Sequence, residues 1–427
     1  MKSLVSSSTK RLRSGALPVF VGCGTLLLAS ALVGQVRLPL DPPGEGRPNP
    51  GRVVERPADA QLRVPAGFTV SLYADDLEGV RTMQFAPNGD LFVTQTTRNV
   101  TTVLRDTDRD GLPDARTTYA QGPAPVGRRG GGGGAAQPCI ANGVIGGIQP
   151  FGLAFQSGYL YVGYANCVVR YRYTAGDTQA PGAPEQLVEL PGGGHFTRNV
   201  IFNRAGSKMY VSVGSASNND DGEDSMRAAI HEYNPDGSGH RIFASGIRNP
   251  VGLALQPGTD VLWTAVNERD NLGDDLVPDY ATSVKDGAFY GWPYSYIGQN
   301  YDPKHQGKMP DLVKRATVPD VLIQAHSAAL GITFYEAAQF PPRFRNGAFI
   351  ALHGSWNRST TAGVKVIFVP FANGRPGPVE DFVTGFVVSE TDNSKWGRPV
   401  GVTVAPDGSL LVSDDGGGRI WRVRYTG

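Results

Sequence analysis

Residues 250–268 read PVGLALQPGTDVLWTAVNE: an apolar strand, a Pro257-Gly258 turn, a second apolar strand, and a polar end at Asn267-Glu268. Short strands bounded by Pro and Gly are the signature of tight antiparallel pairs. The pattern occurs six times. The other copies are MQFAPNGDLFVTQ (83–95), PFGLAFQSGYLYVGYAN (150–166), NVIFNRAGSKMYVSVGS (199–215), GITFYEAAQFPPRFRNGAFIALHGS (331–355) and PVGVTVAPDGSLLVSDD (399–415). Each is followed by a further strand, such as VVRYRY (168–173) or RIWRVRY (419–425). A unit of this size cannot cover both of its faces alone, so copies must stack on one another. The expected fold is therefore all-β: a six-bladed β-propeller of four-stranded antiparallel blades. The lone strand GFTVSLYA (67–74) is expected to pair with the C-terminal strand and remove the free edges. A sandwich or a β-helix is the alternative, and a β-helix would need shorter, more even repeats.

Outward from the repeats, the chain has three parts. Lys2, Lys10, Arg11 and Arg13 precede an uncharged apolar run over 16–34, which reads as a signal peptide or N-terminal anchor over 1–34. Residues 35–62 are rich in Pro, Gly and charge and read as an exposed linker. Residues 63–427 are the propeller. With 40 basic and 39 acidic residues the net charge is +1, and no basic run follows the signal, so nucleic acid is excluded as a partner. Membrane contact is expected only through the N-terminal segment, and the location is periplasmic or secreted. Cys139 and Cys167 remain once Cys23 is set aside, and an oxidising compartment favours their pairing.

Propellers carry function at one end of the central channel, where loops from every blade converge. The residues before each first strand are unusual: His195 with Arg198, Arg248 with Asn249, His326, and Trp396 with Arg398. The ends of the second strands add Gln95, Glu268-Arg269-Asp270 and the run from His353 to Arg358. Five charged side chains fall within residues 268–275, too many for an ordinary hairpin turn. Clustered carboxylates and turn carbonyls are oxygen ligands of the kind calcium takes. Three of the six histidines fall at equivalent blade positions. Each alone is an ordinary hydrogen-bonded histidine; their convergence on one channel mouth makes a site.

Seven pieces in order then bear a specific likeness: the His195 turn GGGHFTR, GIRNPVGLA, NERDNLGDDLVPDY, YGWP, QAHSAALGITFY, ALHGSWNRS and WGRPVGVTVAPDGSLLVSDD. Across about 65–425 the chain resembles the family of sorbosone dehydrogenase and soluble glucose dehydrogenase, propellers that use pyrroloquinoline quinone (PQQ) with calcium. The resemblance implies a PQQ- and calcium-dependent dehydrogenase that moves hydride from a sugar or sugar-derived aldehyde to the quinone. Its electron acceptor would be a quinone or a cytochrome. It also implies roles: His195 as general base, Arg248 as stabiliser of charge on the reduced cofactor, and the backbone carbonyls of Glu268 and Arg269 as calcium ligands. Arg248, Asn249, His326, Arg358 and Arg398 would hold the cofactor, whose three carboxylates call for such donors.

Two departures stand out. Where glucose-oxidising relatives place an aspartate that orients the base, this chain has Ser215, so either Asp220 or Asp221 takes over or the base is tuned otherwise. The relatives' fifth-blade lysine corresponds to Asn357-Arg358. A separate stretch, DTDRDGLPD from Asp106, places Asp106, Asp108 and Asp110 like the start of a calcium loop, but position 12 is Thr117. It is a candidate second calcium loop or a plain hairpin turn. The glycines of 130–134 read as a flexible loop tip. The alternatives in function are a calcium-dependent lactonase-type hydrolase and a non-catalytic carbohydrate-binding propeller.

Overall fold

The computed structural model describes residues 1, 40–123, 138–141 and 144–427; the signal or anchor, Cys23 and the 130–134 loop tip lie outside them. Six four-stranded antiparallel sheets follow one another along the chain. Their first strands are Val80–Phe85, Gly152–Gln156, Val200–Phe202, Pro250–Leu255, Ala329–Phe334 and Pro399–Val404. Neighbouring first strands touch in that order, and the sixth touches the first. The sixth sheet takes its outer strand from the other end of the chain: Phe68–Ala74 pairs antiparallel with Arg419–Tyr425, as expected.

Sequence pattern and burial agree strand by strand. Second strands such as Leu91–Gln95, Leu262–Val266 and Ala348–Leu352 are buried at every position, because sheets cover both of their faces. That is why they read as unbroken apolar runs rather than alternating ones. Outer strands such as Ala115–Gln121 alternate for much of their length. A separate apolar core fills each gap between consecutive sheets, from Phe92 with Leu160 in the first gap to Leu91 with Leu411 in the last. On the axis, Phe151, Val251, Leu330 and Val400 form one small apolar plug.

Four of the six first strands carry a glycine, at Gly152, Gly252, Gly331 and Gly401, and it has a steric reason. A Cβ on Gly252 would strike the Leu330 carbonyl of the next sheet, and one on Gly401 would sit 2.5 Å from the Arg81 carbonyl. Around a narrow axis the first strands come too close for a side chain pointing sideways.

Three further features bear on the site. Cys139 and Cys167 form a disulfide, with Cα atoms 6.0 Å apart. The stretch expected as an exposed linker is largely exposed, but it is tied down: Gly44 N–H donates to Leu272 O, Asn49 N–H to Trp356 O, and Arg52–Val53 pairs in parallel with Ser394–Lys395. Between the third and fourth strands of the fourth sheet, residues 284–320 form an insert with a hairpin, a 3-10 turn and one helical turn. Among the described residues no helix is long and apolar enough to cross a membrane.

Candidate active site

Loops that precede first strands and loops that follow second strands are hydrogen-bonded to one another. His195 stands on the loop before the third sheet. Its Nδ1 lies 2.9 Å from the Ser215 carbonyl and 3.1 Å from the Ser215 hydroxyl. A carbonyl can only accept, so Nδ1 carries the proton and the lone pair is left on Nε2. Burial, and then the Arg248 charge, push the imidazole down to about 3, which keeps it neutral at physiological pH. Ser215 therefore offers its backbone oxygen to Nδ1, at the place where the resemblance leads to the expectation of a carboxylate. Asp220 and Asp221 do not take over: they pair with Lys304 and Lys308.

Arg248 reaches from the loop before the fourth sheet. Its Nε donates to Asn218 O at 2.9 Å, Nη2 to Asn218 Oδ1 at 3.0 Å and Nη1 to Glu268 O at 2.6 Å. The guanidinium thus clamps the 215–223 loop to the Glu268-Arg269 turn. Asp270 lies 3.7 Å from the same guanidinium and 3.2 Å from His326 Nδ1. His326 Nε2 meets the Gly273 carbonyl at 2.8 Å. Burial alone would lower His326, but Asp270 and the Gly273 carbonyl outweigh it and raise the imidazole above its ordinary value. His326 adopts φ +66° and Ala328 φ +55°, left-handed conformations that side chains rarely take and that cluster at functional sites.

The Glu268-Arg269 turn is held on all sides. Asp279 accepts the Glu268 N–H at 2.8 Å, and the Arg269 guanidinium pairs with Asp302 of the insert at 2.8 Å. Burial raises the Glu268 carboxyl to about 8 and Asp279 to about 6. Asn249, buried beside this turn, has an Oδ1 with no partner among the described residues. A Cβ on Gly214 would collide with that oxygen and lie 2.7 Å from His195 Cβ. Gly214 is what lets His195 and Asn249 come together.

A second group lies between the first, fifth and sixth sheets. Asp415 accepts from Arg81 at 2.8 Å and from His353 Nε2 at 2.8 Å. Burial opposes ionisation of Asp415, but His353, Arg81 and Arg398 hold it well below the usual carboxylate range. Burial, then Arg398, bring His353 down to about 4. Arg398 Nε donates to the His353 carbonyl at 3.2 Å, and its terminal nitrogens donate to no described residue. Arg81 also lies over the Phe196 ring, 5.4 Å from its centroid, which joins this group to the residue beside His195.

The sequence-predicted residues therefore fall into three places. His195, Arg248, Asn249, His326, Glu268 and Arg269 share one hydrogen-bonded set. Arg398 belongs to the second group. Arg358 stands apart, donating to the Asp274 carbonyl and, at 2.9 Å, to Asp275. Asp106, Asp108 and Asp110 do gather, with ligand atoms within 4.8 Å of one another, on an exposed hairpin of the first sheet. Its turn is held by their own acceptance of the Gly111, Asp110 and Leu112 N–H groups. Sequence reasoning missed Asn218, Arg81 and Asp415. Asp415 was findable: it ends the second strand of the sixth repeat, the position that supplies Glu268 and His353 in other repeats.

These residues suit the cofactor pair. The orphaned Asn249 oxygen, the terminal nitrogens of Arg398 that meet no described acceptor, and the rigidly held carbonyl turn are the donor and hard-oxygen set that a carboxylate-rich quinone with calcium requires.

Comparison with known proteins agrees. The Glucose / Sorbosone dehydrogenase family pattern matches residues 162–355, and a TrAA12-like pattern matches 295–426. The aldose sugar dehydrogenase YliI of Escherichia coli is 26% identical over 261 residues, covering 56% of this chain and 62% of that protein. The pyrroloquinoline quinone-dependent pyranose dehydrogenase of Coprinopsis cinerea is 25% identical over 292 residues, 54% of this chain and 39% of its own. The chain thus spans about six-tenths or less of these curated relatives. Among solved structures, the calcium structure of a Trichoderma reesei AA12 enzyme superposes with a TM-score of 0.70 at 21% identity, covering 88% of this chain and 98% of that one. The holo PQQ domain of the Coprinopsis pyranose dehydrogenase gives 0.68 at 20%, covering 87% and 98%. Likeness at that identity speaks for the fold. The motif set and the family match converge on the Glucose / Sorbosone dehydrogenase family, whose pattern residues 162–355 match.

Proposed function

We propose that this chain is an exported PQQ- and calcium-dependent dehydrogenase that oxidises a sugar or sugar-derived aldehyde, with its six sheets as the blades of a six-bladed propeller. The observation that carries the reading is the fixed tautomer of His195, neutral and with its Nε2 lone pair free, beside the unpartnered Asn249 oxygen. The Glu268 and Arg269 carbonyls would hold calcium, and Arg398, Asn249 and the remaining N–H groups of Arg248 would hold the quinone. When bound, the pair supplies a polarised two-electron acceptor for the hydride that leaves the substrate carbon. His195 Nε2 takes the hydroxyl proton of a hemiacetal or aldehyde hydrate as that carbon becomes a carbonyl. The Ser215 carbonyl then stabilises the imidazolium through Nδ1–H, and the Arg248 clamp keeps the loops from shifting.

Export is supported by the N-terminal basic-then-apolar sequence and by the disulfide, which persists in oxidising compartments. The hydrolase reading is disfavoured by the ligand set: among the described residues, three metal-ligating side chains gather only at Asp106, Asp108 and Asp110, away from His195. Titration of purified apoprotein with PQQ and calcium, following dye reduction across a sugar and aldehyde panel, tests the assignment. Saturable turnover that needs both additions is expected. Turnover without PQQ, or none with both at saturation, overturns it.

A further inference from the structure

Two guanidiniums beneath the His195 loop form no ion pair with a described carboxylate, although Glu223 and Asp224 lie near enough to Arg227 to favour its charge. Arg198 is wholly buried; its Nη1 donates to the carbonyls of His195 (2.6 Å) and Thr197 (2.9 Å), and Nη2 to Pro191 (2.8 Å). Its Nε meets no acceptor among the described residues. Arg227, also buried, donates to the carbonyls of Gly214 (3.3 Å), Pro191 (3.1 Å) and Gly192. Both share the Pro191 oxygen, and neither forms an ion pair with a described carboxylate. Burying unpaired charge is unfavourable, and burial with the Arg227 charge lowers Arg198 to about 9.

What the pair holds is informative. The five carbonyls belong to both flanks of His195 and to Gly214, the residue that makes room for His195 and Asn249. The loop between them, Gly192-Gly193-Gly194, has left-handed φ at +77° and +60° for the last two residues. Three glycines in a row give a loop with little rigidity of its own. A base that must stay in place on such a loop needs an external splint.

We propose that Arg198 and Arg227 are positioning residues for His195: together they fix residues 191–197 against Gly214, so that Nδ1–H stays on the Ser215 carbonyl and Nε2 presents its lone pair. The kinetic arm of this proposal rests on His195 being the base; the structural arm does not. The other charged groups that face this imidazole are Arg248 and Asp270.

The test uses apoprotein labelled with nitrogen-15 histidine, whose ring shifts report the tautomer directly. His195→Gln identifies the resonances among the six histidines. The wild type should show a fixed Nδ1–H tautomer at neutral pH, and Arg198→Gln and Arg227→Gln should show averaged tautomers with faster Nδ1–H exchange. Arg198→Lys, which keeps the charge but not the fork, should fall between them. In protein loaded with PQQ and calcium, kcat should drop about tenfold or more in the Gln variants, with little change in cofactor affinity. A tautomer that stays fixed in both Gln variants overturns the proposal. So does failure of both to fold, because the pair would then serve the fold rather than the base. If the loaded wild type shows no turnover, the functional reading fails while the tautomer measurement still decides this one.

Discussion

Two Arg–Asp–His groups are made of the same three residue types, yet the proton affinities of their histidines shift in opposite directions. Arg248–Asp270–His326 joins the loops of the fourth and fifth sheets; Arg81–Asp415–His353 joins the first, fifth and sixth. His326 has an acceptor at each ring nitrogen, Asp270 at one and the Gly273 carbonyl at the other, and its proton affinity rises. His353 has its carboxylate at one nitrogen only, lies buried, and shares its surroundings with Arg398, so its affinity falls. Proximity to a carboxylate does not by itself charge a histidine. The second ring nitrogen and the next cation decide. His195 is the limiting case, with a carbonyl in place of the carboxylate and the lowest affinity of the three.

The largest effect should come from that third imidazole. His195→Ala is expected to lower kcat by about 10²–10⁴-fold, the usual range for loss of a general base, while PQQ titration shows its cofactor site still fills. His326→Gln and His353→Gln, acting through others, should each lower kcat by less than about tenfold. Near-normal kcat in His195→Ala would move the base to another residue.

Stability separates the two carboxylates next. Asp415 touches both partners at 2.8 Å, whereas Asp270 is 3.7 Å and 3.2 Å from its partners. Asp415→Ala leaves buried cations unpaired and should destabilise by about 3–5 kcal/mol, the range for breaking a buried pair. Asp270→Ala should destabilise by about 1–2 kcal/mol, closer to the loss of charge-assisted hydrogen bonds. Urea unfolding of the three proteins measures this, and equal losses would erase the distinction.

Cofactor affinity tests which arginines face the site. Arg398 has terminal nitrogens that donate to no described residue, so Arg398→Ala should weaken PQQ binding by about 1.5–3 kcal/mol. Arg358 is engaged through Nη1 by the Asp274 carbonyl and Asp275, which neutralises its charge locally although Nε has no described partner, and its Ala variant should change binding by less than about 1 kcal/mol. A larger loss at Arg358 than at Arg398 would reverse the assignment.

The smallest signal, and the sharpest for the comparison, is pH dependence of stability. His326 is raised in the folded state, so its contribution is full below the unfolded value of about 6.5 and is lost as pH rises through the folded value. His353 is lowered to about 4, so its contribution is full above about 6.5 and is lost as pH falls toward 4. The Tm difference between wild type and His326→Gln should shrink on going alkaline, and that for His353→Gln should shrink on going acid. Matching trends in the two variants would mean the groups are not set oppositely.

What the sequence determined is local and periodic. Six apolar–turn–apolar repeats, four of them with a glycine where neighbouring first strands approach, specify stacked four-stranded sheets, because such a unit has no other way to cover its faces. The basic and imidazole residues at repeat boundaries were legible as a site for the same reason: topology forces equivalent positions to one end of the axis. Connections between repeats were not legible. That Ser215 offers its carbonyl to His195, that Asn218 latches Arg248, and that the 44–53 stretch lies along the loops of other sheets depend on contacts between residues far apart in sequence. Arg358 could not be told from Arg398 by sequence, because only folding decides that Nη1 of Arg358 meets the Asp274 carbonyl and Asp275 while the terminal nitrogens of Arg398 meet no described acceptor. The charge state of each histidine likewise belongs to the tertiary structure, since burial and the nearest opposite or like charge set it, and neither follows from residue order.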